Sequence, residues 1–139
     1  RYYTKTTILI KNIALDLEKL AGAKLKPYGL TFSQFKVIRV LTLEPPLTVR
    51  QVDLEECFCM TNPTVTSLLQ NMEKNGWIER RENPADSRSK VLCMTEKAKK
   101  IADELESVGN QIDGEITSSL TKKERAELNR LLLKMLGIK

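Results

Sequence analysis

Hydrophobic side chains recur at helical spacing along most of this chain. Residues 6–26 and 32–44 each place their apolar positions close to a 3.6-residue period, which predicts two amphipathic helices. The sequence Pro27-Tyr28-Gly29 ends the first helix, and a proline pair ends the second because proline cannot donate the next helical hydrogen bond. The positions predicted to face the core are Ile10, Ile13, Leu17, Leu20 and Leu25 in the first helix and Phe35, Ile38, Val40 and Leu41 in the second.

Capping boxes predict where three helices begin, because a Thr oxygen and a Gln or Glu side chain three residues later satisfy free backbone N–H groups. The three sequences run from Thr31 to Gln34, from Thr48 to Gln51 and from Thr121 to Glu124. The second box predicts a short helix to about Phe58, with Leu54 and Phe58 facing inward. The third box predicts the last helix, and Thr95 is predicted to cap a long helix that continues to about Ser118.

A further helix is predicted from about residue 62 to 75, across a tight turn at Cys59-Met60. Two short helices separated by a tight turn, the second rich in small polar residues, are typical of a helix-turn-helix. Short strands are predicted at 77–81 and 91–94, joined by a turn-rich loop. The predicted fold is therefore mainly α with a small β-hairpin.

The helix at 62–75 has one apolar face and one polar face on a helical wheel. The apolar face holds Val65, Leu68, Leu69 and Met72, and the polar face holds Thr64, Ser67, Asn71 and Lys74. Thr61 or Asn62 caps this helix, because a residue before proline is pushed out of the α region. Short polar side chains can bond to base edges in a major groove, and a Thr methyl can contact a thymine methyl. A surface helix that is polar without contacting DNA is the alternative.

The hairpin that follows is basic. Arg80, Arg81, Arg88 and Lys90 place four cations on a two-stranded ribbon. Asp86, two residues before Arg88, can hold the Arg88 guanidinium in one orientation, which suits a probe of narrow A·T-rich minor grooves. A local ion pair that only shapes the turn is the other interpretation of Asp86 and Arg88, and the two are compatible.

The charge distribution favours a polyanionic partner. The 139 residues carry a net charge of +5, and residues 60–100 hold eight Lys or Arg against five Asp or Glu. The absence of His removes the commonest general base and metal ligand, and no nucleophile–base pair or phosphate-binding glycine loop is present. No long apolar run is present either, so we expect a cytoplasmic protein that neither spans a membrane nor acts as an enzyme.

The three cysteines allow two interpretations. Cys57, Cys59 and Cys93 form a poor zinc set without a fourth ligand, so neither a metal nor a cofactor is predicted. Because free cysteine is among the most buried residue types, structural cysteines are expected, with Cys93 in the core. The alternative is that Cys57 or Cys59 senses an oxidant, since both lie beside the helix at 62–75.

Residues 31–95 resemble the MarR family of transcriptional regulators. The matching residues are Thr31 with Gln34, Leu54, Asn62 to Thr66, Met72 to Arg80, Asn83 to Arg88, and Met94 to Ala98. Cys59 and Ala98 stand where the family often has Gly, and Ser67 replaces the Arg that some members carry. The resemblance implies a winged helix-turn-helix DNA-binding lobe over residues 31–98, with helical dimerisation regions at 1–30 and 99–139.

The resemblance also implies a homodimer whose two lobes bind a pseudo-palindromic operator in double-stranded DNA, most often as a repressor. It implies that Pro63, Thr64, Ser67 and Asn71 approach bases while Arg88 enters the minor groove. Many members are released by small aromatic or phenolic effectors, and Tyr28, Phe32 and Phe35 are candidates for lining such a pocket, with core packing as their alternative role. The residues predicted to bind DNA are Thr61, Asn62, Pro63, Thr64, Thr66, Ser67, Asn71, Lys74, Arg80, Arg81, Asp86, Arg88 and Lys90.

One different class of function stays open at this stage. A winged helix can serve as a protein-interaction or dimerisation module without contacting DNA. Binding to random duplex at low salt separates the two, because a DNA-binding protein shows nonspecific affinity that falls steeply as salt rises.

Overall fold

The computed structural model describes residues 2–138 and is mainly helical, as predicted. Its elements are α1 (Thr6–Leu25), α2 (Phe32–Leu43), α3 (Gln51–Phe58), α4 (Asn62–Lys74), β1 (Ile78–Asn83), β2 (Asp86–Met94), α5 (Glu96–Ile116) and α6 (Lys122–Met135). Short 3-10 helices cover Tyr2–Thr4 and Lys26–Tyr28. No helix in this described part of the chain is both long and apolar enough to cross a membrane.

Local capping explains most of the helix starts. Thr31 accepts the Gln34 N–H at 3.2 Å while the Gln34 side chain accepts the Thr31 N–H at 3.0 Å, which confirms the first capping box. The box at the start of α6 is confirmed in the same way. Thr61, whose hydroxyl accepts the Thr64 N–H at 3.4 Å, is the cap of α4. The alternative cap Asn62 instead donates its side-chain N–H to Glu55 at 2.9 Å.

The predicted capping box at Thr48 is wrong. The helix begins at Gln51, and the Asp53 carboxylate accepts the N–H of the cap residue Arg50 at 2.8 Å. Thr48 donates its hydroxyl to the Pro45 carbonyl instead. The reason is tertiary: Val49 is buried, and its carbonyl accepts the Leu92 N–H at 2.9 Å, which holds this segment extended beside β2.

The core forms around α2, which packs against α1, α4 and α5. Val65, Leu69 and Met72 of α4 are fully buried, as the helical wheel predicted, and Leu68 is half-buried. The side chains buried around them include Leu25, Phe35, Val37, Ile38, Leu54, Leu92, Leu105, Val108 and Ile112. Burying this apolar surface is the main favourable contribution to folding.

The terminal helices α1 and α6 carry many exposed apolar side chains. Ile10 and Ile13, which were predicted to face the core, are 44% and 55% exposed in the single chain. Within residues 2–138, α6 has no buried residue. The large apolar side chains exposed in this terminal region are Tyr3, Leu9, Ile10, Ile13, Leu15, Leu120, Leu128, Leu131, Leu132, Leu133, Met135, Leu136 and Ile138.

The hairpin is longer than predicted. Its antiparallel strands pair from Ile78 with Met94 to Glu82 with Lys90, and Asn83 then pairs with Asp86. Three residues of β2 therefore bulge out between Asp86 and Lys90. The polar residues expected to form a loop extend the strands instead, because their side chains complete the turn: Asn83 accepts the Ala85 N–H and donates to the Ser89 hydroxyl.

Candidate nucleic-acid interface

The turn between α3 and α4 depends on an unusual backbone at Cys59. This residue has φ 52° and ψ 45°, the left-handed conformation that usually falls to glycine, and it caps the C-terminus of α3. A side chain in this conformation costs about 1 kcal/mol or more. The Met60 N–H bonds to the Glu55 carbonyl at 3.0 Å, so the turn is closed and α4 leaves α3 at a defined angle.

The polar face of α4 is open to solvent. Thr61, Asn62, Pro63, Thr64, Ser67, Asn71 and Lys74 are all exposed. An open groove runs along this face, lined by Ser33, Met60, Pro63, Thr64, Ser67, Leu68 and Asn71. The structure therefore brings seven of the predicted residues onto one surface that a groove of DNA could meet.

Thr66 is placed differently. It is half-buried, and its hydroxyl accepts a hydrogen bond from Gln51 Nε2 at 2.8 Å. The same Gln51 nitrogen donates to Glu55, which also accepts from Asn62. Thr66 therefore faces α3, where this network fixes α4 against the helix before it.

The Arg88 side chain extends from the hairpin into solvent. It lies in the bulge of β2 and is 90% exposed. The Asp86 carboxylate accepts the Arg88 N–H at 3.0 Å and the Arg88 Nε–H at 3.1 Å. These hydrogen bonds, the backbone one foremost, lower the pKa of Asp86. The carboxylate thus orients the guanidinium, as the spacing of the two residues predicted.

The other three hairpin cations differ in their exposure and in the carboxylates that hold them. Arg80 is half-buried, and its Nε donates to Glu73 of α4 at 2.7 Å. Arg81 pairs with Glu79 on its own strand, and that hydrogen bond raises the pKa of the Arg81 guanidinium. Lys90 is exposed. Arg80 therefore ties the wing to α4, while Arg81 and Lys90 lie on the surface of the hairpin.

Arg50 is a cation of this surface that was not predicted. It lies between α4 and the hairpin, because its neighbours Val49 and Gln51 bond to β2 and α4 respectively. In the sequence, the i,i+3 spacing of Arg50 and Asp53 was the signal that could have identified Arg50. The predicted helix start at Thr48 concealed this signal, because it places Arg50 inside the first turn.

The cysteines are more accessible than expected. Cys93, which was expected in the core, is only half-buried, so that prediction is wrong, and Cys57 and Cys59 are exposed. Cys57 and Cys59 lie at the exposed end of a short helix that buries mainly Leu54. Among residues 2–138, no group of three or more His, Cys, Asp or Glu side chains is placed to hold a metal ion.

A second cleft lies where α1, α2 and α5 meet. It has a volume of about 250 Å³ and is lined by Leu17, Phe32, Phe35, Arg39, Glu106, Gly109, Asn110, Ile112 and Asp113. Phe32 and Phe35 stack with ring centroids 6.2 Å apart, and Arg39 Nη1 is buried without a hydrogen-bond partner among the described residues. Tyr28 does not line this cleft. Its hydroxyl donates to Glu104, and partial burial, then that contact, raises the pKa of Tyr28.

Two short helices joined by a tight turn, with a basic hairpin directly after the second, define a winged helix-turn-helix. Comparisons with known proteins agree with this class. The profile of the MarR family matches residues 30–90. The transcriptional regulator MgrA of Staphylococcus aureus is 35% identical over 111 residues, which cover 80% of this chain and 73% of MgrA.

Solved structures are similar over almost the whole chain. The MepR–DNA complex of S. aureus superposes with a TM-score of 0.86 at 25% identity, covering 96% of this chain and 97% of MepR. A mutant of MarR from E. coli complexed with operator DNA gives a TM-score of 0.82 at 29% identity, covering 92% and 91%. The chain belongs to the MarR family of winged-helix transcriptional regulators, a family of regulators and not of enzymes.

Proposed function

We propose that this regulator is a homodimeric, sequence-specific DNA-binding protein that acts as a repressor on a pseudo-palindromic operator. The observation that carries the proposal is the position of Arg88, exposed and braced by Asp86, beside the open polar face of α4. The solved complexes of MepR and MarR with DNA support it, because both resemble this chain closely in fold. Occupying promoter DNA would block transcription, and cytoplasmic location follows from that role.

Base recognition is assigned to α4. Pro63, Thr64, Ser67 and Asn71 form its exposed surface, with Thr61, Asn62 and Lys74 at the two ends. Short hydroxyl and amide groups make few bidentate contacts with guanine, so direct base recognition is modest and shape recognition carries much of the specificity. Arg88 is assigned to the minor groove for that reason, while Arg81 and Lys90 contact phosphates. Arg80 and Thr66 hold these residues in position: Arg80 donates to Glu73, and Thr66 accepts from Gln51.

Dimerisation is assigned to the terminal helices, over residues 1–30 and 99–139, with the DNA-binding lobe over 31–98. The support is the run of exposed apolar side chains on α1 and α6. Exposed apolar side chains concentrated in this way mark interaction sites. A two-fold dimer places two α4 helices about one DNA turn apart, which requires a palindromic operator.

Release by a small aromatic or phenolic effector is assigned to the cleft between α1, α2 and α5. Phe32 and Phe35 provide aromatic faces there, and the unpaired Arg39 N–H is a donor for a carboxylate or phenolate oxygen. The cleft lies between the proposed dimerisation helices and the lobe, so a ligand there can change the spacing of the two α4 helices.

Selection of binding sites from random duplexes, read by sequencing, tests the proposed function. The expected product is a palindrome whose half-sites lie about 10 bp apart. Recovery of no enriched sequence, together with no salt-dependent binding to random duplex, would favour the protein-interaction alternative.

A Cys57→Ser, Cys59→Ser double variant tests the oxidant-sensing alternative. This alternative fails if peroxide releases the double variant from the operator as readily as it releases the wild type.

A further inference from the structure

Arg50 lies at the junction between the hairpin wing and α4. Val49, the residue before it, accepts the Leu92 N–H of β2 at 2.9 Å. Gln51, the residue after it, donates to the Thr66 hydroxyl of α4 at 2.8 Å. The two neighbours of Arg50 are thus bonded to the wing and to α4 respectively, while half of the Arg50 side chain is exposed.

The Arg50 guanidinium has a fixed orientation. Nη2 donates to Asp53 Oδ1 at 3.0 Å, and Nε donates to Oδ2 at 3.4 Å. Asp53 is itself held, because it also accepts the backbone N–H of Arg50 at 2.8 Å. The hydrogen bond from Arg50 lowers the pKa of Asp53, so the pair stays charged at neutral pH. A guanidinium has five N–H donors, and about three remain for another partner.

The neighbouring charges alternate in sign from α3 to the wing. Asp53 pairs with Arg50, and Asp86 of the wing attracts Arg50 as well as holding Arg88. Arg50 and Arg88 are therefore two oriented cations that both interact with one carboxylate, Asp86.

The geometry of DNA indicates which part of the duplex faces Arg50. With α4 in a major groove and Arg88 in the adjacent minor groove, the sugar–phosphate strand that separates the two grooves passes between α4 and the wing. Arg50 is near that strand, because Val49 bonds to β2, Gln51 bonds to α4 and Asp86 of the wing attracts the guanidinium. Its planar fork suits the oxygens of a phosphate, whereas base edges on either side face α4 and Arg88.

We infer that Arg50 binds a backbone phosphate of the strand between the two grooves, with its guanidinium oriented by Asp53. The inference rests on the proposed function and adds to it a contact that sets the position of the lobe along the DNA. A phosphate contact carries no sequence information, so its loss weakens binding to every duplex alike.

The test compares Arg50→Gln with Lys99→Gln, a matched control. Lys99 also pairs with a carboxylate three residues away, Glu96, but lies in the first turn of α5, which carries no residue assigned to DNA and none of the exposed apolar side chains. Affinity is measured by fluorescence anisotropy at several salt concentrations, on the selected operator and on a random duplex of equal length. Arg50→Gln is expected to bind both duplexes several-fold more weakly and to reduce the salt slope by about 0.9, the contribution of one phosphate. Arg50→Lys is expected to restore the slope, and Lys99→Gln to match the wild type.

Three outcomes would overturn the inference. An Arg50→Gln slope and affinity equal to those of Lys99→Gln would exclude the phosphate contact while leaving the proposed function intact. A loss confined to the operator would assign Arg50 to a base instead. A wild type that binds neither duplex would overturn the proposed function itself, and the inference with it. Thermal melting of each variant confirms that the lobe remains folded.

Discussion

The Asp86 carboxylate accepts both the backbone N–H and the Nε–H of Arg88, at 3.0 and 3.1 Å. One acidic residue thereby orients a side chain that is almost fully exposed on the hairpin. Arg88 is 90% exposed, so the ion pair contributes little to stability, and its importance lies in orientation. A long side chain that is already ordered loses less conformational entropy when it enters a groove.

The Asp86–Arg88 pair predicts that the two residues act together. Asp86→Ala is expected to weaken operator binding although it removes a negative charge from the DNA-facing surface, because Arg88 loses its orientation. Adding Arg88→Ala is then expected to cost less than Arg88→Ala alone. A double-mutant cycle on operator affinity measures this coupling. Tighter binding by Asp86→Ala would show that charge outweighs orientation at the wing.

DNA affinity is expected to be nearly constant between pH 6 and pH 8 at fixed salt. The chain has no His, whose titration would fall in this window. The pKa of Asp86 is lowered below the 3.8 of a free Asp, so its contribution is complete above that value and is lost only as the pH falls through the lower folded pKa. Anisotropy titrations across this range check the prediction, and a change of tenfold between pH 6 and pH 8 would contradict it.

Cys59→Gly is expected to stabilise the folded protein by about 1 kcal/mol, because glycine adopts the left-handed conformation of this turn without strain. Operator affinity is expected to stay the same, since the Cys59 side chain is exposed and its thiol makes a weak bond to the Glu56 carbonyl at 3.9 Å, within α3. Thermal unfolding checks the change, with Cys57→Ala as the control in ordinary helical backbone. A lower melting temperature for Cys59→Gly would show that the turn depends on the thiol.

Charges introduced on the apolar face of α6 are expected to separate the dimer. Leu132→Glu combined with Met135→Glu places two carboxylates on a helix that buries no residue in the described single chain. The lobe is therefore expected to stay folded while the protein becomes monomeric and its operator affinity falls at least tenfold. Light scattering gives the mass. Leu43→Glu is the control, because Leu43 is 71% exposed on α2, outside this face. A dimer in the double variant would place the interface elsewhere.

The sequence predicts best those features that depend on neighbours a few residues away. The Thr31–Gln34 capping box and the two faces of α4 are of this kind, and both are confirmed. Thr48 fails as a cap because a distant strand residue, Leu92, binds the Val49 carbonyl. The hairpin is longer than predicted because side-chain bonds of Asn83 complete a turn that composition alone presents as a loop.

The apolar positions near the chain ends show a second limit of prediction. Ile10 and Ile13 follow the helical period as core residues do, yet both are exposed in the single chain. Periodicity identifies a face that is to be covered, and it does not identify whether the same chain or a second copy covers it. The placement of Arg50 beside the wing was equally out of reach, because two long-range hydrogen bonds determine it.

The salt dependence of operator binding by Arg88→Ala tests the central claim most directly. Anisotropy titrations of wild type and variant on the selected operator give the slope of log affinity against log salt. The variant is expected to bind more weakly, with a slope smaller by about 0.9 and a reduced preference for A·T base pairs beneath the wing. An unchanged affinity and slope would contradict the assignment of the hairpin as a DNA-binding wing.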